Sequence, residues 1–414
     1  MLFELSIYLF LSVLSASLGV LYFLYPKNIS ILFLLFGMIM PTSNQFMDFI
    51  SFNGIYFYDY FFLALILYYI LRFLIKKQIS SINIVYIILL LFFFVFYSTF
   101  AITSSITFDK YLLRDLRPFL TLIYGIVFIS LIDSSKISFK TILNLLIFTF
   151  CIKLLFFILI IFGFSFSDIY YSENNLRYFD ASTFIAALFL IVSIFKKNSF
   201  KLKASNFSIN FSIVLAILIV LISNLRILLI ALLLIYLFMN HKSLFKKVLI
   251  GLVSIFLFLG YSYLMQFERV TNAFFSNELL LQLANRFSPA LKKIATMDLY
   301  QYIYGLGFGT YFEIPWFEYR GLDTKLNTID STYLTFFVKY GICSIVIFFI
   351  FFRILMQNIN DRVLKKSILF FYLLLFFTMS ILYQSGTIMQ IIFLNMLMIS
   401  INNEDTSHTI SVNS

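Results

Sequence analysis

Apolar runs separated by short polar breaks recur from one end of this chain to the other. Candidate membrane spans, matched against a hydrocarbon core of roughly 30 Å, fall at 5–24, 29–41, 60–75, 82–100, 118–132, 142–164, 182–195, 209–224, 226–240, 248–265, 331–352, 367–383 and 387–401. The pattern predicts an all-α, polytopic integral membrane protein of about 13 transmembrane helices. The range is 12–14, because 209–240 and 367–401 contain breaks of one or two residues that fit either a kink or a turn. The first run has no basic leader and no small-residue cleavage site before Tyr25-Pro26-Lys27, so it reads as a retained span. A single long polar stretch, 266–330, interrupts the alternation, and residues 1–414 read as one transmembrane domain with that loop inside it.

Composition narrows the class further. The 414 residues are 62% hydrophobic and 21% aromatic, with only 12% charged, which excludes a soluble domain. Lysines and arginines such as Lys76, Lys77, Lys140, Lys196, Lys197, Lys246, Lys247 and Lys365 fall in alternate loops. Because basic residues concentrate on the cytoplasmic side, the N-terminus is assigned outside and the C-terminus inside. The loops at 42–59, 101–117, 165–181 and 266–330 are then extracytoplasmic. The net charge of +11 follows from that topology and from contact with anionic lipid head groups, so it does not imply nucleic-acid binding. Cys151 and Cys343 lie in apolar spans and read as packing residues rather than a disulfide framework. Tyr56, Tyr58 and Tyr60 read as an interfacial aromatic belt.

The outer positions prefer arginine: Arg114, Arg117, Arg177, Arg226, Arg269, Arg286 and Arg320. Arginine offers a planar fork that grips phosphate or carboxylate in two places, whereas lysine is a hydrated point charge. An arginine-rich mouth suits a phosphorylated or acidic ligand, although pairing with Asp109, Asp115, Asp168, Glu173 and Asp180 to hold loops together explains any single arginine equally well. Arg226 stands apart, with apolar helix on both sides in Ser223-Asn224-Leu225-Arg226. An ionisable group embedded at a membrane boundary is costly enough to mark function, with snorkelling to the head groups as the rival. Lys153, inside the sixth span, is a similar oddity with no recognisable context.

Within the long loop, Leu279, Leu283, Phe287 and Leu291 recur at helical spacing, which predicts an amphipathic helix over 278–297 lying above the membrane mouth. Tyr304-Gly305-Leu306-Gly307-Phe308-Gly309 lacks the preceding strand and the lysine of a nucleotide loop, so it reads as a tight turn where backbone approaches a ligand or a helix. Tyr300, Tyr302, Tyr304, Tyr311, Trp316 and Tyr319 are expected mostly to pack, with flat faces suited to sugar rings as the alternative. Asp330 and Ser331 are placed to cap the following span.

Asn285-Arg286, the glycine turn, Asp330-Ser331-Thr332-Tyr333-Leu334 and Lys339-Tyr340-Gly341-Ile342 together resemble the large-loop signature of the O-antigen polymerases and ligases. Ser223-Asn224-Leu225-Arg226 is similar to that superfamily's Ser-Arg helix start, and Arg177-Tyr178-Phe179-Asp180 to its mid-chain outer loop. The ligases usually carry a histidine-asparagine pair where this chain has Asp330-Ser331, and its two histidines, His241 and His408, are both assigned inside. The resemblance therefore tilts toward the Wzy-type polymerase.

It implies a GT-C-like glycosyltransferase at the outer face of the bacterial plasma membrane, polymerising oligosaccharide repeat units of an O-antigen, capsule or exopolysaccharide. The donor and acceptor would be polyprenyl-pyrophosphate-linked oligosaccharides within membrane lipids, with a flippase and a chain-length regulator as partners. Negative charge building on the departing pyrophosphate calls for preorganised cations, and Arg177, Arg226 and Arg286 fill that role in the resemblance. Arg114 and Arg117 are candidates for orienting substrate, and Gly305, Gly307 and Gly309 for backbone contact with it. With no outer histidine, a general base would be Asp330 or Asp180. Metal-ligand spacing is absent, so neither a metal nor another cofactor is expected. The competing readings are an O-antigen ligase and a flippase or transporter for lipid-linked oligosaccharides. No internal repeat supports the transporter.

Overall fold

The structure, a computed structural model, describes residues 2–40, 47–52, 54–76, 81–103, 110–132, 137–162, 180–223, 225–237, 278–314, 324–384 and 386–412. Span 248–265, Arg177, Arg269, Arg320, Asn224, Trp316 and Tyr319 lie outside the described residues, as does the side chain of Arg226.

The fold is mostly helical. The helices are α1 (Leu2–Leu21), α2 (Pro26–Ile39), α3 (Met47–Ile50), α4 (Asp59–Lys76), α5 (Ser81–Thr103), α6 (Lys110–Asp115), α7 (Arg117–Leu131), α8 (Phe139–Ile161) and α9 (Ala181–Lys203). They continue with α10 (Asn206–Ile222), α11 (Arg226–Ile235), α12 (Glu278–Ala295), α13 (Leu299–Tyr304), α14 (Thr332–Tyr340), α15 (Ser344–Leu355), α16 (Arg362–Thr378) and α17 (Thr387–Val412). Short 3-10 turns at Gly341–Cys343 and Ile381–Tyr383 join the last elements. Among the described residues, five stretches are long and apolar enough to cross a membrane: Glu4–Leu21, Asn83–Ala101, Phe139–Leu159, Ala181–Lys203 and Thr332–Leu355. Pro26–Ile39, Asn206–Ile222 and Thr387–Asn402 are shorter apolar helices.

The helix boundaries follow local chemistry. Pro26 and Pro118 sit in the first turns of α2 and α7, where a missing N–H leaves no bond unmade. Asp180 caps α9 in a reciprocal box with Thr183, and Ser205 caps α10 by accepting from the Ser208 amide at 3.2 Å. Asp361 caps α16 by accepting from the amides of Val363 and Leu364. The α9 helix runs past residue 195, where the sequence suggested that it ends, and bends at Lys196, whose side chain pairs with Asp361 at 3.3 Å.

Helix α17 is the core of the bundle, buried from Ile388 to Ile401 and packed by α2, α7, α8, α9 and α15. Neighbouring helices supply partners to its buried polar side chains. Asn395 accepts from Asn358 at 2.9 Å and donates to the Ile354 carbonyl at 3.2 Å, while Gln390 accepts from the Tyr372 hydroxyl at 2.7 Å.

Part of the long loop folds as a unit with its own core, made of Ala290, Met297, Phe312, Ile314, Ile329 and Val338. Strands β1 (Ser51–Phe52) and β2 (Ile55–Tyr56) form one small hairpin earlier in the chain, and β3 (Phe312–Glu313) and β4 (Lys325–Leu326) form the hairpin of this unit. In the second, Phe312 lies opposite Leu326 and Glu313 opposite Lys325.

Three expectations are corrected. Ala290 and Ile294 form the packed face of the unit's amphipathic helix α12, joined by Met297 just past its end, while Leu291, expected on the apolar stripe, is exposed. Cys151 is exposed on α8 rather than packed. Tyr56 and Tyr58 are buried rather than part of a belt, because their rings enclose the guanidinium of Arg117.

Candidate functional site

Hydrogen bonds and ion pairs bring several helix ends to one end of the bundle. The starts of α4 and α7 meet there through Asp59 and Arg117. The end of α2 and the start of α9 meet through Lys153, which donates to the Ile39 carbonyl at 2.8 Å and pairs with Asp180. Thr332, opening α14, donates its amide to Met379 just past α16. The segment before α17 links these groups: Tyr383 shares a hydrogen bond with Tyr340, and Gly386 rests against Ala181 so closely that an added Cβ would stand 2.7 Å from the alanine Cβ.

A buried node holds the loop unit to the bundle. Lys339 donates to Asp115 at 2.5 Å and to Asn327 Oδ1 at 2.7 Å, and the Gly309 amide donates to the other Asp115 oxygen at 2.8 Å. Both charged side chains are closed to solvent. Burial pushes the Asp115 carboxyl above its ordinary range, opposed by the Lys339 ammonium, the Gly309 amide and Asn327. The Tyr340 hydroxyl donates to the Asp115 backbone carbonyl at 3.3 Å, so bundle and loop are tied by side chain and main chain alike.

The glycine turn completes this attachment. Gly305, Gly307 and Gly309 all have positive φ, and the amides of Leu306 and Gly307 donate to the carbonyls of Val338 and Lys339. A Cβ on Gly305 would stand 2.2 Å from the Lys339 carbonyl carbon. The turn is thus an approach of backbone to a helix, the second of the two readings its sequence allowed.

The loop unit carries further charged groups outside the node. Arg286 and Asp330 approach at 3.6 Å with side chains about half exposed, at 49% and 62%. Ser331 supplies the cap of α14, accepting from the Leu334 amide at 3.4 Å, which leaves Asp330 facing Arg286. Further along, Lys293 and Lys325 sit 5.3 and 5.0 Å from the Tyr311 ring centre. Burial holds the Lys293 ammonium below its ordinary value, opposed by the Glu313 carboxylate. The exposed Arg286–Asp330 pair sets a forked cation beside a carboxylate, an arrangement able to hold an anionic group next to a proton acceptor.

The other residues singled out from the sequence lie elsewhere. Arg114 is exposed on α6, and its Cγ would stand 4.0 Å from a Cβ added at Gly54. Arg117 is buried rather than set at a mouth: it donates to Asp59 and to the Tyr58 hydroxyl, both at 2.7 Å, and lies 4.0 Å from the Tyr56 ring centre. Asp180 is buried and committed to Lys153, to Ser182 and to capping α9. Arg226 opens α11, which packs against α16.

Sequence reasoning missed the two buried lysines as structural partners. Lys153 had signalled itself as a charge inside a span, but its carboxylate lies 27 positions away. Lys339 belongs to the Lys339-Tyr340-Gly341-Ile342 motif, and its carboxylate partner Asp115 lies 224 positions away. Among the described residues, no three His, Cys, Asp or Glu side chains are grouped as metal ligands. At the other end of the bundle, a cavity of about 330 Å³ is lined by Lys140, Asn144, Lys203, Ser205 and Ser208, and none of the residues above reaches it.

The site and fold define a helical membrane protein with a separately cored polar loop unit carrying the exposed Arg286–Asp330 pair. The chain belongs to a family of unknown function, DUF6369, whose family model matches residues 123–410. No curated protein and no solved structure matches it.

Proposed function

We propose that the chain is a polymerase of lipid-linked oligosaccharide repeat units, with about 13 spans and its loop unit on the extracytoplasmic face of a bacterial plasma membrane. One glycan leaves its polyprenyl pyrophosphate carrier for a sugar hydroxyl on a second carrier-linked unit. The observation that carries this reading is the juxtaposition of Arg286 and Asp330 on the exposed face of the loop unit. Both belong to motifs through which the chain resembles the O-antigen polymerases. In this role Arg286, with Arg226 and Arg177, steadies charge on the departing pyrophosphate without a metal, and Asp330 accepts the proton of the attacking hydroxyl. Arg117 and Asp180, each buried in an ion pair of the bundle, act as framework rather than as substrate contacts.

A flippase for the same units is favoured by one observation, the charged pair Lys153 and Asp180 enclosed among the helices, since such groups also mark transport paths. Deleting the gene in its host and sizing the surface polysaccharide separates the two readings. Loss of polymerisation leaves single repeat units at the cell surface; loss of a flippase leaves none there. Complementation with R286K should fail to restore long chains, because lysine cannot reproduce two-point phosphate contact. Full-length polymer in the deletion strain contradicts the proposal, and full complementation by R286K contradicts the role of Arg286.

A further inference from the structure

We infer that α13 is an interfacial foot of the loop unit, immersed among the acyl chains of the membrane leaflet on which that unit sits. The inference rests on α5 and the α14–α15 stretch crossing a membrane and stands apart from the polymerase reading. Helix α13 has no buried residue, and its side chains are apolar or aromatic out of proportion to a water-facing turn: Leu299 is 84% exposed, Tyr300 58% and Ile303 44%. Such a surface on a polar loop is costly in water.

Its position explains the exposure. The Tyr304 ring packs on Phe96 of α5 at 5.6 Å between centres, about 8 Å before the end of the Asn83–Ala101 stretch at 1.5 Å per residue. On the other side, α13 rests on Gly341, where an added Cβ would stand 2.5 Å from the Ile303 carbonyl carbon. Gly341 lies inside the Thr332–Leu355 stretch.

Both flanks present apolar side chains outward: Ile88, Phe92 and Val95 on α5, and Ile342, Ile345 and Phe349 at and beyond Gly341. The exposed face of α13 therefore joins two lipid-facing surfaces. Charge and backbone fit the same placement. Residues 299–304 contain no charged side chain. The turn after α13 satisfies its Gly305, Leu306, Gly307 and Gly309 amides with protein acceptors, as irregular backbone at membrane depth requires.

The test uses the unaltered full-length protein in lipid nanodiscs. A phospholipid with a diazirine in its acyl chain should, on photolysis, label residues 299–304 together with the outward face of α5, and label β3 and β4 several-fold less. Hydroxyl radicals generated in the water should in turn spare Tyr300 while modifying exposed side chains of the loop hairpin. Radical labelling of Tyr300 without acyl-borne adducts overturns the inference, because the foot then faces water. Absence of both labels on 299–304 overturns it equally, since a second copy or another protein then covers that face.

Discussion

Replacing Lys339 by Met removes the ammonium that stands 2.5 Å from Asp115 in a site closed to solvent. Asp115 keeps the Gly309 amide, but an uncompensated carboxylate there is far costlier than a neutral acid. The carboxyl of the variant therefore enters the folded state protonated. Taking a proton at pH 7 onto a group with an ordinary value of about 3.9 costs about 4 kcal/mol, and at pH 5 about 1.5 kcal/mol. The sign follows from the raised folded-state value: stability is complete below about pH 4 and is lost as pH rises. Thermal unfolding of the full chain in detergent, followed by far-ultraviolet circular dichroism, reads the effect. At about 1.2 °C per kcal/mol for a chain of 414 residues, K339M should unfold about 5 °C below the unaltered protein at pH 7 and about 2 °C below it at pH 5. The double variant D115N/K339M, which carries neither charge, should show a smaller deficit at pH 7 that does not change with pH. An equal K339M deficit at both pH values, or a double variant as damaged as K339M at pH 7, refutes the reasoning.

Three further outcomes are expected. Ser331→Ala removes the α14 cap and should lower stability by about 1 kcal/mol, seen as a drop of about 1 °C in the same melt; no change would place the cap elsewhere. Gly305→Ala forces a Cβ into the Lys339 backbone at positive φ, so trypsin should cut the loop unit at lower concentration than in the unaltered chain, and unchanged digestion would contradict the close approach. Because burial lowers the Lys293 ammonium, its rate of acetylation should rise at a lower pH than that of a free lysine, ordinarily near 10.4; mass-spectrometric labelling that tracks the free amine would contradict this.

Much of the bundle was legible because a membrane imposes length and hydropathy on each helix. The apolar runs of α5, α8 and α17 announce themselves without tertiary information. The turn at Gly305 to Gly309 was legible as a close approach because no other residue type so readily holds positive φ, but the sequence could not say that the object approached is the α14 backbone. Partner choice was harder. Lys153 and Asp180, or Lys339 and Asp115, are joined across many residues by packing; the apolar span around Lys153 signals burial, but nothing local to it names its carboxylate. The alternation of basic loops puts Arg117 in an outer loop, which says nothing of its burial. Its environment is made by Tyr56, Tyr58 and Asp59, brought from another helix start. Asp330 and Ser331 were ambiguous as a pair, and the structure divides their roles between an exposed contact with Arg286 and the helix cap.

The central claim is tested most directly by purified protein in nanodiscs, supplied with polyprenyl-pyrophosphate-linked repeat units from its own host. Glycans should appear as a ladder of successive lengths, with one polyprenyl pyrophosphate released for each new bond and with no added metal. Repeat units that cross the bilayer without growing, or that pass only onto a lipid A core, contradict it.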